Sequence, residues 1–594
     1  MVELKTNNKV ISVMKKIKIL LLCGSIFFTN ACRSDQQNTL NENIKGVNFN
    51  INIDSFVTTD TNKQANTKAD ISTNLINKQE LISGPFSIVS ELAPERPGIN
   101  KNTSVTPRSI SGSNVKFRIV AYDSQTGDYT AQDSGSPASI AGGQKLFANI
   151  NLVGSKKYTF VTYSFNSTTE PPLAPTTNLN QAKLHITDLN GKEAGTDLLY
   201  AINKDVLISG GNTNINVVLK HKFSKITISV DANDATGTFG QPDYVKGGYA
   251  LNNNAAGFTG TILDCHTSCN LNLKDARISE GDNQVFSVSN LNNTTPQAVI
   301  VNTGGEDAYK SQLIIPPGAI VIGKDINTAP VSIPITGPGG IGLQPGKSYT
   351  LKLKFNSDRY TDARGATATK ATGSYAVIAG YRWARFNLGA KSDNPTVYDP
   401  DVPRAEIHGA KYQWGARTNE TGRYITQNRD QLGNTEIPGW IGNGVEPLPD
   451  YSWNSGTENN PVRTSNDPCT DLDFDNNLYR VPTQTEFQKL LVATAHSTLG
   501  TQAESSGFSS ARKLTSKKSK DVLLTLPNVG IRWETAAALA ERGRSIYYWT
   551  SSGNIGQTGK AKKGKFIFYS TSSNIIKDLD YERPAGIAIR CIQE

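Results

Sequence analysis

Two adjacent stretches with alternating side chains constrain the fold of this chain most strongly. Residues 215–219 carry apolar side chains at every second position, and residues 225–230 repeat the pattern. A period of two with many β-branched residues indicates strands and not helices. Residues 220–222, which are Lys, His and Lys, lie between them. We therefore predict that the first strand closes one β-sandwich and that the second opens another.

The length and composition predict several all-β units. The chain has 594 residues, too many for one hydrophobic core, and 19% of them are charged. The abundance of Gly, Asn, Thr and Ser suits an exported protein with many turns. The net charge of +9 is compatible with nucleic acid, a membrane surface or an acidic glycan as partner. Because no nucleic-acid-binding motif accompanies the charge, we expect no nucleic-acid partner.

The N-terminus predicts export and a lipid anchor. Met14 precedes a lysine-rich stretch and a short apolar run at 19–28, and Ala31 precedes Cys32. This is the arrangement of a lipoprotein signal peptide, and the run is too short to span a bilayer. We predict that 1–31 is a signal peptide with its true start at Met14, and that Cys32 is acylated. The alternative is an ordinary cleaved signal followed by a stray cysteine.

Further alternating runs extend the β pattern, and a polar tether at 32–45 precedes them. Strands are predicted at residues 47–53, 86–92, 115–122, 158–165, 312–315 and 348–355. The predicted fold class is mainly β, with two tandem antiparallel β-sandwich domains at 46–220 and 221–355. A polar stretch at 356–373 is predicted to be a linker.

Several phrases in these regions resemble one protein family. They are DLLYA at 197–201, LKHKFSKITISVD at 219–231, KFRIVAYDSQTGDY at 116–129 and LQPGKSYTLKLKF at 343–355. The sequence resembles the fimbrillin-like proteins, which are surface lipoproteins and pilus subunits built from two β-sandwiches. The resemblance implies lipid anchoring at the outer membrane, exposure on the cell surface and fimbrial subunits as partners.

A change in composition marks a third domain at 374–594. All six tryptophans follow residue 382, and five phrases occur in order: WARFNLGA at 383–390, GAKYQWG at 409–415, YRVPTQTEF at 479–487, YWTSS at 548–552 and IRC at 589–591. These phrases resemble the Fibrobacter succinogenes major paralogous domain, which implies an α+β, C-type-lectin-like fold. Within them, Thr483 and Glu486 form a capping-box pattern that predicts a helix packed through Phe487 and Leu490.

The cysteines predict two disulfides. With Cys23 in the signal and Cys32 lipidated, four cysteines remain in an exported chain, where disulfides persist. We predict the pairs Cys265–Cys269 and Cys469–Cys591, and the second pair is also what the resemblance of the third domain implies. A metal site that uses Cys265, His266 and Cys269 is the alternative to the first pair.

The acidic insert at residues 471–477 is the second candidate for metal binding, besides that cysteine pair. Asp471, Asp473 and Asp475 occupy positions 1, 3 and 5 of a calcium-type loop, but position 6 is Asn476 and position 12 is Pro482. We expect a solvated acidic insert, with calcium as the alternative, and no other cofactor.

A ligand surface is predicted on the loop-rich region at 412–453 and the acidic insert. Trp414, Trp440 and Trp453 would offer aromatic faces for stacking on sugars, and core packing is the alternative for each of them. The basic clusters at 513–520 and 560–565 are predicted to be solvated loops, with contact to anionic glycan or lipid as the alternative.

The sequence gives little support to catalysis. GPGGIG at 337–342 matches a phosphate-binding pattern, but a strand and not a helix follows it, so a plain turn is expected. The five histidines show no paired metal-binding spacing. The resemblance of the third domain also implies a fold similar to that of formylglycine-generating enzymes. Such enzymes need reactive thiols, and Cys469 and Cys591 are predicted to be bonded to each other.

We therefore predict a surface lipoprotein that acts as an adhesin or as an end subunit of a fimbria, binding a glycan, host or matrix ligand. The alternative is a non-polymerising glycan-binding protein that works beside a nutrient importer. A position within a fibre is not expected, because the disulfide would hold the last strand in its own domain. The arginines available for processing, Arg96 and Arg108, would also release two strands at once.

Overall fold

The computed structural model describes residues 43–44, 46–57, 76–95, 108–109, 113–150, 152–209, 213–232, 256–279, 283–302, 310–336, 342–433, 436–442, 444–501, 507–553, 562–570 and 575–594. The predicted signal peptide at 1–31, the lipidation site Cys32, Arg96 and most of the GPGGIG phrase lie outside the described residues. The mainly β fold class is confirmed by the eleven sheets of the described part.

The first sheet has seven strands, and both of its faces are covered. Along the strand Phe117–Asp123, Ile119 faces one core and Val120 faces another, so the strand is buried on both sides. The sheet order is Arg108–Ser109, Asn48–Ile53, Asn214–His221, Leu199–Leu207, Lys157–Ser164, Phe117–Asp123 and Tyr129–Gly135.

The second sheet has five strands and packs on a third sheet of four strands around one shared core. The second sheet runs in the order Gln297–Val301, Ser224–Asp231, Ser348–Asn356, Phe86–Pro94 and Asn77–Ser83, and the third in the order Asn283–Leu291, Phe258–His266, Ser311–Ile315 and Val331–Ile335.

The two predicted sandwiches are not purely antiparallel. Asn214–His221 pairs in parallel with Asn48–Ile53, and Ser224–Asp231 pairs in parallel with Ser348–Asn356. The consecutive strands at 214–221 and 224–231 enter different sheets. Each of them therefore lies beside a strand that is distant in the sequence.

The strand at 86–92, predicted within the first sandwich, belongs to the second sheet instead. The observed strand Phe86–Pro94 is antiparallel to Ser348–Asn356, with Leu92 opposite Leu351. Phe86, Ile88 and Leu92 alternate into the shared core of the second and third sheets. The predicted limits of the first sandwich, 46–220, are therefore wrong for this strand.

The predicted Cys265–Cys269 disulfide is wrong. Cys265 lies in the strand Phe258–His266 of the third sheet, whereas Cys269 begins the strand Cys269–Asn272 of a separate three-stranded sheet with Lys183–Ile186 and Ile278–Ser279. Cys269 is a buried free thiol that packs against the first sheet. Burial raises the pKa of Cys269 to about 12, so the thiol stays protonated.

The C-terminal region contains one six-stranded sheet and two three-stranded sheets. The six-stranded sheet runs Thr367–Ala368, Arg359–Thr361, Tyr375–Ile378, Tyr381–Ala384, Ile592–Gln593 and Tyr479–Arg480; the others are Thr494–Gly500, Ser510–Ser516 and Leu523–Pro527, and Ser545–Gly553, Lys563–Ser570 and Ile575–Glu582. The predicted helix is confirmed as Gln484–Ala493, because Thr483 and Glu486 form the capping box and Phe487 is buried.

The predicted linker at 356–373 is wrong, because it contributes two strands to the six-stranded sheet. Tyr360, in the strand Arg359–Thr361, is buried, and its hydroxyl accepts a hydrogen bond from the backbone nitrogen of Leu523 at 2.9 Å. The neighbouring Thr361 accepts one from Arg382 Nε at 2.8 Å. These contacts fix the segment to the C-terminal core.

The remaining elements are short. The two-stranded pairs are Asn43–Ile44 with Leu152–Val153, Val321–Ile322 with Asp325–Ile326, Lys411–Tyr412 with Tyr424–Ile425, and Ile531–Arg532 with Leu539–Ala540; the other helices are Pro137–Ala141, Glu193–Thr196 and Gln427–Gln431, with 3-10 turns at Ala405–Ile407 and Pro468–Leu472. Among the described residues, no helix is both long and apolar enough to cross a membrane.

Candidate functional site

Two of the three predicted ligand tryptophans are core residues. Trp414 and Trp453 are both 0% exposed, and their ring centroids are 5.4 Å apart. Trp414 Nε1 donates to the carbonyl of Thr550, and Trp453 Nε1 donates to that of Ala416, each at 2.9 Å. Because the indole nitrogens are satisfied inside the protein, neither ring is available to stack on a ligand. The predicted stacking role of these two residues is wrong.

Arg583 packs on this aromatic core and also binds the loop at 448–450. The Arg583 guanidinium carbon lies 4.1 Å from the centroid of the Trp414 ring, in cation–π geometry. The same guanidinium donates to the Leu448 carbonyl and to Asp450 Oδ1, both at 2.6 Å. Arg583 therefore ties the loop at 448–450 to the core.

Trp440 differs from the other two tryptophans because it is only partly buried. It packs against a small cluster formed by Ile425, Ile437 and Ala537. Contact of Trp440 with a ligand stays a prediction.

The acidic insert does not converge on a metal site. Asp473 accepts hydrogen bonds from Arg463 at 2.7 and 2.8 Å and from the Tyr479 backbone nitrogen at 2.8 Å. Asp475 faces Arg364 at 3.7 Å, and Asp471 is exposed. Within the described part of the chain, no group of three or more His, Cys, Asp or Glu side chains could hold a metal ion. Two of the three carboxylates thus lie beside arginines, and calcium binding stays the alternative to a solvated insert.

A disulfide fixes the start of the insert, as predicted. Cys469 and Cys591 are bonded, which joins the 3-10 turn Pro468–Leu472 to the end of the six-stranded sheet. Asp467 caps this turn, since its Oδ1 accepts from the Cys469 nitrogen and its Oδ2 from the Val481 nitrogen, both at 2.9 Å. Burial raises the pKa of Asp467 to about 7.

Exposed apolar side chains on the surrounding loops were missed by the sequence reasoning. Val445, Tyr451, Val462 and Phe474 are between 39% and 53% exposed, and we call this set the loop face. Loop residues carry no hydrophobic periodicity, so no sequence pattern distinguishes an exposed apolar residue from a buried one here.

Arg463 connects the loops that carry this face. Besides Asp473, its guanidinium donates to the Tyr479 carbonyl at 2.9 Å, and its Nε lies 3.1 Å from Glu594 Oε2. Together with the disulfide, these contacts hold the 451–478 loops on the six-stranded sheet. Rigid loops that present exposed side chains suit binding to a surface.

No curated protein matches the sequence. Among solved structures, a candidate cell adhesion protein of Bacteroides ovatus is 13% identical, covers 53% of this chain and 96% of its own, and has a TM-score of 0.30. A candidate polysaccharide-binding protein of Bacteroides thetaiotaomicron is 11% identical, with coverage of 47% and 92% and a TM-score of 0.25. The fimbrial anchor protein Mfa2 of Porphyromonas gingivalis is 13% identical, with coverage of 35% and 72% and a TM-score of 0.22.

A family model gives a match within the chain itself. Residues 152–373 match the model of the fimbrillin-like family. The matched range includes strands of the first, second and third sheets. This central part of the chain is therefore similar to fimbrillin-like proteins.

Proposed function

We propose that the protein is a non-enzymatic, lipid-anchored subunit of the bacterial cell surface that acts in adhesion or at one end of a fimbria. The observation that carries the proposal is the fimbrillin-like match over residues 152–373. Cys32 would hold the anchor in the outer membrane, and the tether that follows it would let the body stand away from the membrane.

The C-terminal region is proposed to present the adhesive surface. Its disulfide and the Arg463 contacts hold the 451–478 loops, so binding would not have to order those loops first. The lectin-like fold of this region remains a proposal from sequence resemblance, and a lectin-like fold would not by itself specify a sugar ligand.

A structural role also agrees with the chemistry of the thiols. The Cys469–Cys591 bond occupies both cysteines of the C-terminal region. A formylglycine-generating type of reaction needs free thiols, so this region lacks the groups for it.

The test is adhesion by cells that carry the full chain or its variants. We expect the protein to be accessible to antibody on intact cells, and adhesion to fall when the gene is deleted. Tyr451→Ala/Val462→Ala/Phe474→Ala should reduce adhesion at unchanged surface level, whereas the control Leu173→Ala/Leu207→Ala, two exposed apolar residues of the N-terminal region, should not. A protein inaccessible on intact cells would overturn the proposal.

Gel electrophoresis of unboiled samples tests whether the protein lies at the end of a fibre or repeats along it. An end subunit should give no ladder of this chain alone, and immunogold should label fibre ends. Ladders of this chain with label along the whole fibre would instead make it a repeating subunit.

A further inference from the structure

The core that contains Val120 covers its face of the first sheet over only part of the width. Tyr200 belongs to this core, whereas Lys220, which lies opposite Tyr200 on the next strand, is exposed. Beyond this point the same face continues across the strands Asn214–His221 and Asn48–Ile53. The side chains that these two strands direct outward therefore form a surface of their own.

Asparagines fill most of this surface. The outward positions are 48, 50 and 52 on one strand and 214, 216 and 218 on the other, and all of them except Val218 are asparagines. The strands pair in parallel and in register, so Asn48 lies beside Asn214 and Asn50 beside Asn216. Neighbouring strands are about 4.8 Å apart and alternate residues about 6.6 Å apart, which makes the surface a regular lattice. We call these residues the amide array: Asn48, Asn50, Asn52, Asn214 and Asn216.

Most hydrogen-bonding groups of the amide array face water. Asn50, Asn214 and Asn216 are exposed, and Asn48 and Asn52 are half-buried. Among the described residues, the one hydrogen bond between side chains of the array joins Asn50 Nδ2 to Asn216 Oδ1 at 3.2 Å. Each amide has two N–H donors and an oxygen that accepts twice, so the array keeps most of its capacity for a ligand.

A strand face that only had to be soluble would be built differently. Strands disfavour asparagine, whereas threonine is polar and favours them. The outward face of the second sheet instead carries opposite charges on neighbouring strands, which stabilise a sheet. There Glu91 lies opposite Lys352, and Asp231 lies opposite Lys354. The amide array gives up strand propensity without such pairs, which indicates a role for the amides themselves.

The chemistry of the array selects a neutral ligand that is rich in hydroxyl groups. A hydroxyl both donates and accepts, so it matches an amide in either orientation. The array carries no charge to attract an ion and no aromatic ring on which a base could stack. Single hydrogen bonds contribute little net free energy, so a flat lattice suits an extended chain with many contacts better than a small molecule. A neutral polysaccharide combines these properties.

We propose that the amide array binds a neutral polysaccharide through hydrogen bonds between the asparagine amides and the sugar hydroxyls. Both strands are held within the seven-stranded sheet, so a ligand would not have to order them first. The inference rests on the proposed surface function for access to the ligand, and it deepens that function by naming a ligand class. The array belongs to the N-terminal region and is distinct from the loop face.

Calorimetry on the full exported chain tests the site, with mannan, dextran and a mixed-linkage β-glucan as neutral probes and dextran sulfate as the anionic probe. We expect binding of at least one neutral polysaccharide. Its affinity should be the same at low and high salt, because no charged group takes part. Asn50→Ala/Asn216→Ala should weaken this binding about tenfold, as expected for the loss of two neutral hydrogen bonds.

Two further variants separate binding from general effects of losing surface amides. Asn50→Gln/Asn216→Gln keeps the amide groups and should bind more tightly than the alanine pair. Asn180→Ala/Asn428→Ala removes two exposed asparagines outside the array and should bind like the parent. All three variants should keep the melting temperature of the parent within a few degrees.

No binding of any neutral probe, binding of dextran sulfate alone, or equal losses in the array and control pairs would overturn the site. A concentration-dependent dimer that Asn50→Ala/Asn216→Ala disrupts, without polysaccharide binding, would assign the face to a second copy of the chain and would also overturn it. If calorimetry fails while the protein is accessible on intact cells and supports adhesion, the proposed function stands and the amide array alone is refuted.

Discussion

His221 Nδ1 lies 2.8 Å from Asp197 Oδ1, and Nε2 of the same ring lies 3.0 Å from the Asp54 carbonyl oxygen. Phe56 stacks on this ring at a centroid distance of 3.6 Å, and Asn166 Nδ2 donates to the other oxygen of Asp197 at 3.1 Å. His221 is the last residue of its strand, where the chain leaves the first sheet for the second. A buried polar pair thus anchors this connection.

Removing the histidine should destabilise the N-terminal region. His221→Ala removes the contact between its ring and the buried Asp197 carboxylate, which keeps its bond from Asn166, and a buried polar group that loses a partner costs about 1–3 kcal/mol. Urea unfolding of the full exported chain measures the loss. His185→Ala, which removes an exposed histidine bonded to Asn270, should change stability by less than about 0.5 kcal/mol. Equal effects of the two variants would contradict a special role for His221.

Asp358 should make stability depend on pH. Burial raises the pKa of Asp358 to about 6, against the opposing hydrogen bonds from Ser516 and the Ala379 nitrogen. The folded carboxyl keeps its proton where the unfolded one, with a pKa near 4, has lost it. Stability should therefore fall as pH rises from about 4 to about 6, by roughly 1–2 kcal/mol, and stay level above that window.

Asp358→Asn should remove this dependence. An asparagine can accept from the Ala379 nitrogen and donate to Ser516 Oγ, so it keeps both contacts without a charge. We expect the variant to be more stable than the parent at pH 7 and similar at pH 4, measured by urea unfolding at both values. An unchanged pH profile in the variant would assign the dependence to another group.

The strands predicted from local alternation are all present, because alternation depends only on the residues within the strand, although many other strands were not predicted. The observed strands Ser224–Asp231 and Ser348–Asn356 extend the predicted ranges by one or two residues. Alternation does not show to which sheet the strand Phe86–Pro94 belongs. Its alternating side chains fit either core, and the choice depends on a partner strand that is distant in the sequence.

The tryptophans show the same limit at the candidate site. Glycine-rich loops around Trp414 and Trp453 suggested exposure, yet glycines also let a ring pack closely against backbone. A Cβ at Gly564 would lie 2.4 Å from Trp414 Cδ1, so this glycine makes room for the buried ring. Burial of this kind depends on tertiary contacts that the loop sequence does not encode locally.

Trp453→Ala should therefore damage the fold and not only binding. A fully buried tryptophan replaced by alanine costs about 3–5 kcal/mol through lost contacts and a cavity. Thermal unfolding followed by near-ultraviolet circular dichroism measures the change. Its neighbour Tyr451 is exposed, so Tyr451→Ala should leave the melting temperature nearly unchanged. Similar melting temperatures for both variants would contradict the position of Trp453 in the core.

The disulfide should contribute strongly to the C-terminal region. It closes a loop with a sequence separation of 122 residues, and the chain-entropy model gives about 4–5 kcal/mol for such a loop. Cys469→Ala/Cys591→Ala should lower the midpoint of C-terminal unfolding, and a reducing agent should do the same to the parent but nothing further to the variant. Recovery of either cysteine as a free thiol by non-reducing peptide mapping would refute the bond.

Two turns approach each other closely, one from the second sandwich and one from the C-terminal region. Lys324 N donates to the Gly380 carbonyl at 3.0 Å, and a Cβ on Gly380 would lie 1.6 Å from the Ile322 carbonyl oxygen. Gly380→Ala must therefore push the turns apart, and it also places alanine at a φ of +71°. Gly439→Ala is the matched control, since its φ is +74° and no atom lies within 4 Å of the added carbon. The control should cost about 1–2 kcal/mol from backbone strain alone, whereas Gly380→Ala should also speed amide hydrogen exchange at residues 321–326. If exchange in that turn is the same in both variants, the two turns do not depend on this contact.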